Sequence, residues 1–231
     1  MSSTFYQNRI YPIVYMAIVA GVLVTVVSVI DAFTKDQVEA NRQWLTNKAL
    51  LSVSGLATRE TVDDLPAREA NALVETNFTP IMQDERIPEP QRTEGVPTGP
   101  LDIWRVTEKG SDALKGYVFA VEGMGYWDTV VGYAFVAPDK TTLQDIIFVE
   151  HKETPGLGGE ITNPEFTQRF EGVKLDEAIT IASPADADDP NAIEAITGAT
   201  RTSKALEVFL NEDFATFRET IDEAAGGGSN E

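Results

Sequence analysis

Apolar positions along the chain change their rhythm three times. From Ile10 to Ile30 no Asp, Glu, Lys, Arg, His, Asn or Gln interrupts the run. A helix of that length measures roughly 31 Å at 1.5 Å per residue, about the thickness of a bilayer's hydrocarbon core. The pattern predicts a membrane-spanning helix over 10–33, preceded by a short cytoplasmic N-terminus, 1–9. A cleaved signal peptide is the alternative, but its apolar region runs to about 7–15 residues and ends at a small-x-small site. Val26-Val27-Ser28-Val29-Ile30-Asp31 offers no convincing one. Val38, Trp44, Leu45, Ala49, Leu50 and Val53 then fall at helical spacing, predicting a helix over 34–55 that ends at Gly55. A second short helix is expected over Leu65–Glu75. Gln83–Pro100, rich in proline and charge, reads as a surface loop. Residues 34–100 are therefore a membrane-proximal helical segment and loop.

From Leu101 the period shortens to two. Asp102–Val106, Gly116–Val121, Thr129–Val136 and Thr142–Glu150 are rich in β-branched and aromatic residues between turn signals such as Pro138-Asp139, and they predict an antiparallel meander. Helical spacing returns at Pro164–Phe170 and over about Ser203 to Ala224, where Leu206, Phe209, Leu210, Phe214, Phe217 and Ile221 recur at intervals of three and four. Helices packed on one face of the sheet give an α+β domain over 101–224. The glycine-rich residues 225–231 are expected to form a disordered tail.

Charge and composition narrow the chemistry. Eighteen Lys and Arg against 37 Asp and Glu give a net charge of -19, which repels nucleic acid phosphates and anionic head groups. Without cysteine, the chain holds no disulfide, thiolate zinc site or iron–sulfur centre. With His151 as its single histidine it has no histidine-rich metal site, and its carboxylates lack EF-hand spacing, so no metal site is expected. Redox chemistry in such a chain falls to an organic cofactor. Arg9 before the apolar run, and Asp31, Asp36 and Glu39 after it, favour an outward-facing domain by the positive-inside rule.

Three segments carry candidate chemistry. Glu194-Ala195-Ile196-Thr197-Gly198-Ala199-Thr200-Arg201-Thr202-Ser203 places four hydroxyls and a glycine just before a helix, whose first amides and partial positive charge suit a phosphate. Arg201 adds a cation for a charge-assisted contact. The plainer alternative is that these hydroxyls only cap the helix. His151-Lys152-Glu153-Thr154-Pro155-Gly156-Leu157-Gly158-Gly159-Glu160 follows a strand; Pro155-Gly156 suits a type II turn, and the glycines admit a planar ring or another backbone. An ordinary strand-to-helix connection remains the alternative, and His151 reads as structural or exposed rather than catalytic. Glu122–Thr129 sets Tyr126-Trp127 beside two glycines, where Trp127 serves either as core packing or as a wall for a flavin ring.

Together these segments resemble one family. Thr197-Gly198-Ala199-Thr200 is similar to the flavinylation motif D-x-x-(S/T)-G-A-T, in which a flavin transferase takes FMN from FAD and esterifies its phosphate to the last threonine, here Thr200. His151–Glu160 resembles the family's H-x-E-T-P-G-L-G element. Both occur in the C subunits of the sodium-translocating NADH:quinone oxidoreductases (Nqr) and in the G subunits of the related Rnf complexes. Glu122–Thr129 resembles the Nqr protein's E-G-x-G-L-W-S-T, and Asn47–Gly55 its membrane-proximal helix end, so the Nqr type is favoured. Glu194 stands where the motif has Asp, Tyr126 replaces Leu, Asp128 replaces Ser, and Lys152 is closer to the Rnf pattern.

The resemblance implies a single-pass flavoprotein of the inner (plasma) membrane, its FMN-binding domain on the outer, periplasmic side. It implies FMN held covalently by Thr200, with Glu153, Thr154, Leu157 and Gly158 lining the ring or ribityl chain, Trp127 and Thr129 opposite, and Thr197, Gly198, Ala199 and Arg201 at the phosphate end. The chain then relays electrons with no catalytic side chain of its own. Its partners are the other membrane subunits of an Nqr or Rnf complex and, for maturation, a flavin transferase. Two rivals remain at this point: a tethered FMN-binding sensory or binding module outside any pump, and a tethered acidic domain whose glycine segments are only turns.

Overall fold

A computed structural model describes residues 10–82 and 102–226. The N-terminus 1–9, the loop over Gln83–Pro100, the expected strand start at Leu101 and residues 227–231 of the expected tail lie outside that range. The chain divides into two compact units, Met1–Leu45 and Thr46–Glu231. Helix α1, Ile10–Val53, supplies the described part of the first unit and the opening residues of the second. Within the first unit Tyr11–Lys35 is long and apolar enough to cross a membrane, and Ile13, Val14, Met16, Leu23, Val27, Ile30 and Phe33 among its side chains are exposed.

The second unit starts where α1 acquires neighbours. The helix ends by a glycine in the left-handed conformation: Gly55 has φ 65°, its amide donates to Ser52, and the Leu56 amide reaches back to the Leu51 carbonyl at 3.1 Å. A short helix α2, Ala67–Asn77, leads directly into strand β1, Phe78–Met82. That strand corrects the expectation of only helix and loop before residue 101. Pro80 interrupts its pattern, and a proline is tolerated because β1 is an edge strand of the sheet, which runs in the order β1-β2-β3-β4-β5. The rest is the expected antiparallel meander: β2 Ile103–Thr107, β3 Leu114–Met124, β4 Thr129–Val136 and β5 Leu143–Glu150.

Helices cover both faces of this sheet, where the sequence pattern had put them on one. Strand β3 explains why. Tyr117, Phe119 and Val121 point into one core with Val130, Ala134, Phe209, Phe214 and Phe217, while Val118 and Ala120 point into a second with Leu50, Leu51, Val53, Val62 and Phe135. An uninterrupted apolar run reports two buried faces. The first core is closed by α3, Pro164–Thr167, the 3-10 turns Gly158–Thr162 and Gln168–Phe170, and the long helix α4, Thr200–Gly226. Phe119 stacks on Phe217 with ring centroids 4.4 Å apart, and Gly123 lets Phe209 approach so closely that a Cβ there would sit 2.2 Å from the Phe209 side chain.

Two short strands, β6 Thr180–Ala182 and β7 Ala192–Glu194, pair in parallel ahead of α4. At three residues each they are too short to read from sequence periodicity. Their place is fixed by α4: Glu207 accepts the Ile181 amide at 2.8 Å, and Asn211 both accepts from and donates to Ile179. This pair delivers the 195–199 loop to the start of α4, which begins at Thr200, three residues before the expected Ser203.

Candidate functional site

Three loops meet at one end of the first core: the β3–β4 turn, the segment after β5, and the entry to α4. The β3–β4 turn closes on itself, the Gly125 amide donating to the Asp128 carbonyl at 2.9 Å, and it presents Tyr126 and Trp127 to solvent. After β5, Leu157 donates to the Thr154 carbonyl across Pro155-Gly156, and Gly156 has φ 73°, as a type II turn requires. Before α4, Gly198 has φ 80° and the Ala199 amide donates to Ile196. Ala199 is then the residue whose carbonyl takes the first helical bond, from Ser203 at 3.0 Å. The amides of Thr200, Arg201 and Thr202 have no intrahelical acceptor, the ordinary state of a helix's first turn.

The four hydroxyls of the α4 entry divide into two pairs. Ser203 accepts the Ile196 amide at 3.2 Å and Thr202 donates to the Glu153 carboxylate at 2.7 Å; both are buried. Thr197 and Thr200 are exposed, and neither hydroxyl bonds to another described residue. Neither bond is a helix cap: the buried pair ties the first turn of α4 to Glu153 and to the preceding loop, and the other pair, Thr200 included, is left open to a reagent.

Around Thr200 the apolar residues are unusually exposed for their type. Trp127 is 62% exposed, Leu157 44% and Tyr126 42%. Leu157 lies against Gly198, where a Cβ would come within 3.2 Å of its Cδ2. The Trp127 and Tyr126 rings meet edge to face at 4.9 Å. Thr129 sits half-buried at the foot of this turn, and Thr154 is exposed at the head of the next.

Several expected ring or phosphate contacts are occupied by the protein itself. Glu153 is 4% exposed and faces inward: Oε1 accepts from the Tyr126 and Trp127 amides at 2.7 and 2.9 Å, and Oε2 from Thr202. Gly158 is a glycine because a Cβ there would come within 2.5 Å of Glu153 Oε2 and Thr202 Oγ1. Arg201 turns to Tyr126, donating to its hydroxyl at 2.9 Å with the guanidinium 5.2 Å from the ring centroid. His151 Nδ1 accepts the Glu153 amide at 3.2 Å.

Charges at the rim are locally paired. Lys152 bonds to Asp128, and with the Thr129 amide it holds the Asp128 carboxyl below the usual carboxylate range. Glu194, in the motif's acidic position, is lowered by hydrogen bonds from the Ser183 hydroxyl and then the Ala185 amide, so it fastens the 183–185 loop to β7. Among the described residues no group of His, Asp and Glu has the geometry to hold a metal ion.

The family of FMN-binding domains matches residues 125–212 of this chain. The match begins at the β3–β4 turn and ends within α4. All three loops of the site fall within it. The NqrC protein of the Na+-translocating NADH-quinone reductase from Neisseria meningitidis serogroup A is 36% identical over 105 residues, 43% of this chain and 41% of the relative. That of Haemophilus ducreyi is 38% identical over 104 residues, 43% and 40%, and that of Yersinia pestis 32% over 117, 48% and 44%. The chain thus spans less than half the length of these curated relatives. The resemblance to the NqrC proteins is upheld, over a shorter stretch than the motifs suggested. In fold it extends further: the crystal structure of Shewanella oneidensis NqrC superposes with TM-score 0.61 at 19% identity, covering 78% of this chain and 96% of that one. The NqrC protein from Parabacteroides distasonis superposes with TM-score 0.62 at 21%, covering 81% and 96%.

Thr200, Trp127 and Leu157 were expected at the site; Tyr126 and Thr202, which the hydrogen bonds tie to it, were not. Tyr126 differs from the family's leucine, which signalled a local departure; nothing in the spacing of Thr202 signalled that its partner lies 49 residues away.

Proposed function

We propose that the chain is a membrane-anchored flavoprotein subunit of an Nqr-type complex, relaying electrons through FMN esterified to Thr200. The observation that carries this reading is an exposed threonine hydroxyl at the first turn of α4, beside an exposed aromatic and aliphatic wall, within the stretch that matches the FMN-binding domains. The residues fit the group. The first-turn amides and the left-handed Gly198 leave an open, positively polarised berth for a phosphate. Trp127, Thr129, Thr154 and Leu157 are the side chains available to a ring or ribityl chain, with Thr197, Gly198 and Ala199 at the phosphate end.

Of this chain, attachment needs only this hydroxyl; FAD is the donor and the flavin transferase the catalyst. The Thr200 Oγ1–P bond forms as the pyrophosphate bond of FAD breaks, AMP leaves, and the threonine proton passes to a base supplied by the flavin transferase. When bound, FMN supplies the electron chemistry, accepting and donating electrons. The chain's own residues position it and cover it. Thr200 holds it against loss, Trp127 and Leu157 exclude water from its faces, and no side chain here acts as acid, base or nucleophile during turnover. The apolar stretch Tyr11–Lys35 anchors the domain in the inner membrane, outward-facing by its flanking charges. Other subunits of the complex oxidise NADH, since this chain lacks cysteine for iron–sulfur ligation and a dinucleotide fingerprint.

Expression of the full chain with and without a flavin transferase tests the reading. After denaturing electrophoresis the protein band fluoresces under ultraviolet light only in the co-expressed sample, and the protein stays in the membrane fraction through an alkaline carbonate wash. A band dark under both conditions contradicts the covalent flavin. Solubilisation by carbonate alone contradicts the anchor.

A further inference from the structure

Two bridges tie the aromatic turn to the first turn of α4, one buried and one exposed. The buried bridge is Glu153, whose Oε1 takes the Tyr126 and Trp127 amides while its Oε2 takes the Thr202 hydroxyl. The exposed bridge is the Arg201–Tyr126 pair, a hydrogen bond with the guanidinium lying over the ring. Arg201 and Thr202 directly follow Thr200. Each reaches the same turn by its own route, so the backbone that carries Thr200 is held from two sides at a set separation from the Tyr126–Trp127 pair.

We propose that Glu153 and Arg201 are positioning residues that lock the aromatic wall to the attachment threonine before any flavin arrives, Glu153 from beneath and Arg201 from above. The proposal rests on the Thr200 reading above. Three observations separate this role from direct flavin contact. Glu153 is 4% exposed, and its described donors come from the protein itself. Gly125 and Gly158 approach so closely that a Cβ on either would stand 2.6 or 2.5 Å from a Glu153 oxygen, so the carboxylate is enclosed by backbone rather than open to a ring. Arg201 is turned to a phenol and a ring face, which themselves sit edge-on to Trp127 at 4.9 Å. A wall preset in this way lowers the ordering cost of holding a cofactor joined to the protein by one flexible ester.

The test uses the full chain co-expressed with a flavin transferase and four variants: Thr202→Val and Glu153→Gln for the inner bridge, Tyr126→Phe and Arg201→Gln for the outer. Glu153→Gln keeps an acceptor for the two amides and loses the one for Thr202. Steady-state emission and anisotropy of the attached flavin are measured. Each outer variant is expected to raise emission and lower anisotropy, with a shift in the population of the closed wall of about two- to fivefold; Tyr126→Phe loses the hydrogen bond and keeps the ring, while Arg201→Gln loses both the bond and the cation–π contact and gives the larger shift. The inner variants shift it further. The double variant Tyr126→Phe/Arg201→Gln shifts it no more than the larger single one, because each residue acts through the other; a general loss of stability gives no such coupling.

Attached-flavin emission and anisotropy unchanged in all four variants overturn the lock. A fall in flavin loading in Arg201→Gln with none in Tyr126→Phe overturns the assignment of Arg201 and returns it to the phosphate. Trp127 emission is also read in chain expressed without the transferase, with Trp44 and Trp104 replaced by Phe. The same four variants are expected to shift it, so the lock stands or falls there even where Thr200 proves unmodified.

Discussion

Helix α4 takes part in two buried carboxylate contacts. Beside its first turn, Glu153 accepts three hydrogen bonds from two separate segments. Midway along the helix, Asp213 is 2% exposed and, among the described residues, accepts one, from the Glu122 amide at 2.9 Å. Burial with a single donor, aggravated by Glu212 and Glu122 nearby, pushes the Asp213 carboxyl up to about 8. A buried carboxylate surrounded by donors organises its neighbourhood, and one with a single donor is a group the fold tolerates in protonated form. The site end of α4 gains order from its buried polar group; the middle of the helix loses stability to its own.

Substitutions break this comparison in a graded way. Glu153→Ala leaves two amides and a hydroxyl without their acceptor, and chemical denaturation is expected to register a loss of about 3 kcal/mol. Asp213→Asn has the opposite sign. Folding raises this carboxyl's pKa from 3.8 to about 8, so between those values the folded chain keeps a proton that the unfolded chain releases, and stability falls as pH rises through that window. The asparagine still accepts the Glu122 amide and removes the titration. It should stabilise by on the order of 2 kcal/mol at pH 9, with the gain gone near pH 4. An equal effect at both pH values would show that packing, not ionisation, is what changed.

Thr202→Val is expected to lose about 1.5 kcal/mol, since it strips the Glu153 Oε2 of its donor. Thr200→Val, two residues away but exposed, should stay within about 0.5 kcal/mol. Thermal melts of the two valine variants side by side therefore separate the structural hydroxyl from the available one. Equal losses would mean that both threonines serve the fold.

Much of this arrangement was legible along the chain, for identifiable reasons. The long apolar helix and the four meander strands declare themselves because each is a long run of one period. The apolar run over Tyr117–Val121 belongs to a strand buried on both faces, which the expectation of helices on one face missed. The Thr197–Thr200 segment could be found because its chemistry is contiguous. By contrast Glu153 and Arg201 had been read as cofactor contacts. Their partners lie 27, 49 and 75 residues away in sequence, and a local pattern cannot distinguish a carboxylate waiting for a ligand from one already satisfied. Strands β6 and β7 were missed since three residues establish no period, and β1 was hidden by Pro80.

The central claim is that one hydroxyl of four carries the flavin. Proteolysis of the full chain after co-expression with a flavin transferase, followed by tandem mass spectrometry of the yellow peptide, locates the added FMN. The account predicts fragment ions that assign it to Thr200 alone, with no modified peptide recovered from Thr200→Ala. FMN found on Thr197, Thr202 or Ser203, or retained by Thr200→Ala, would contradict it.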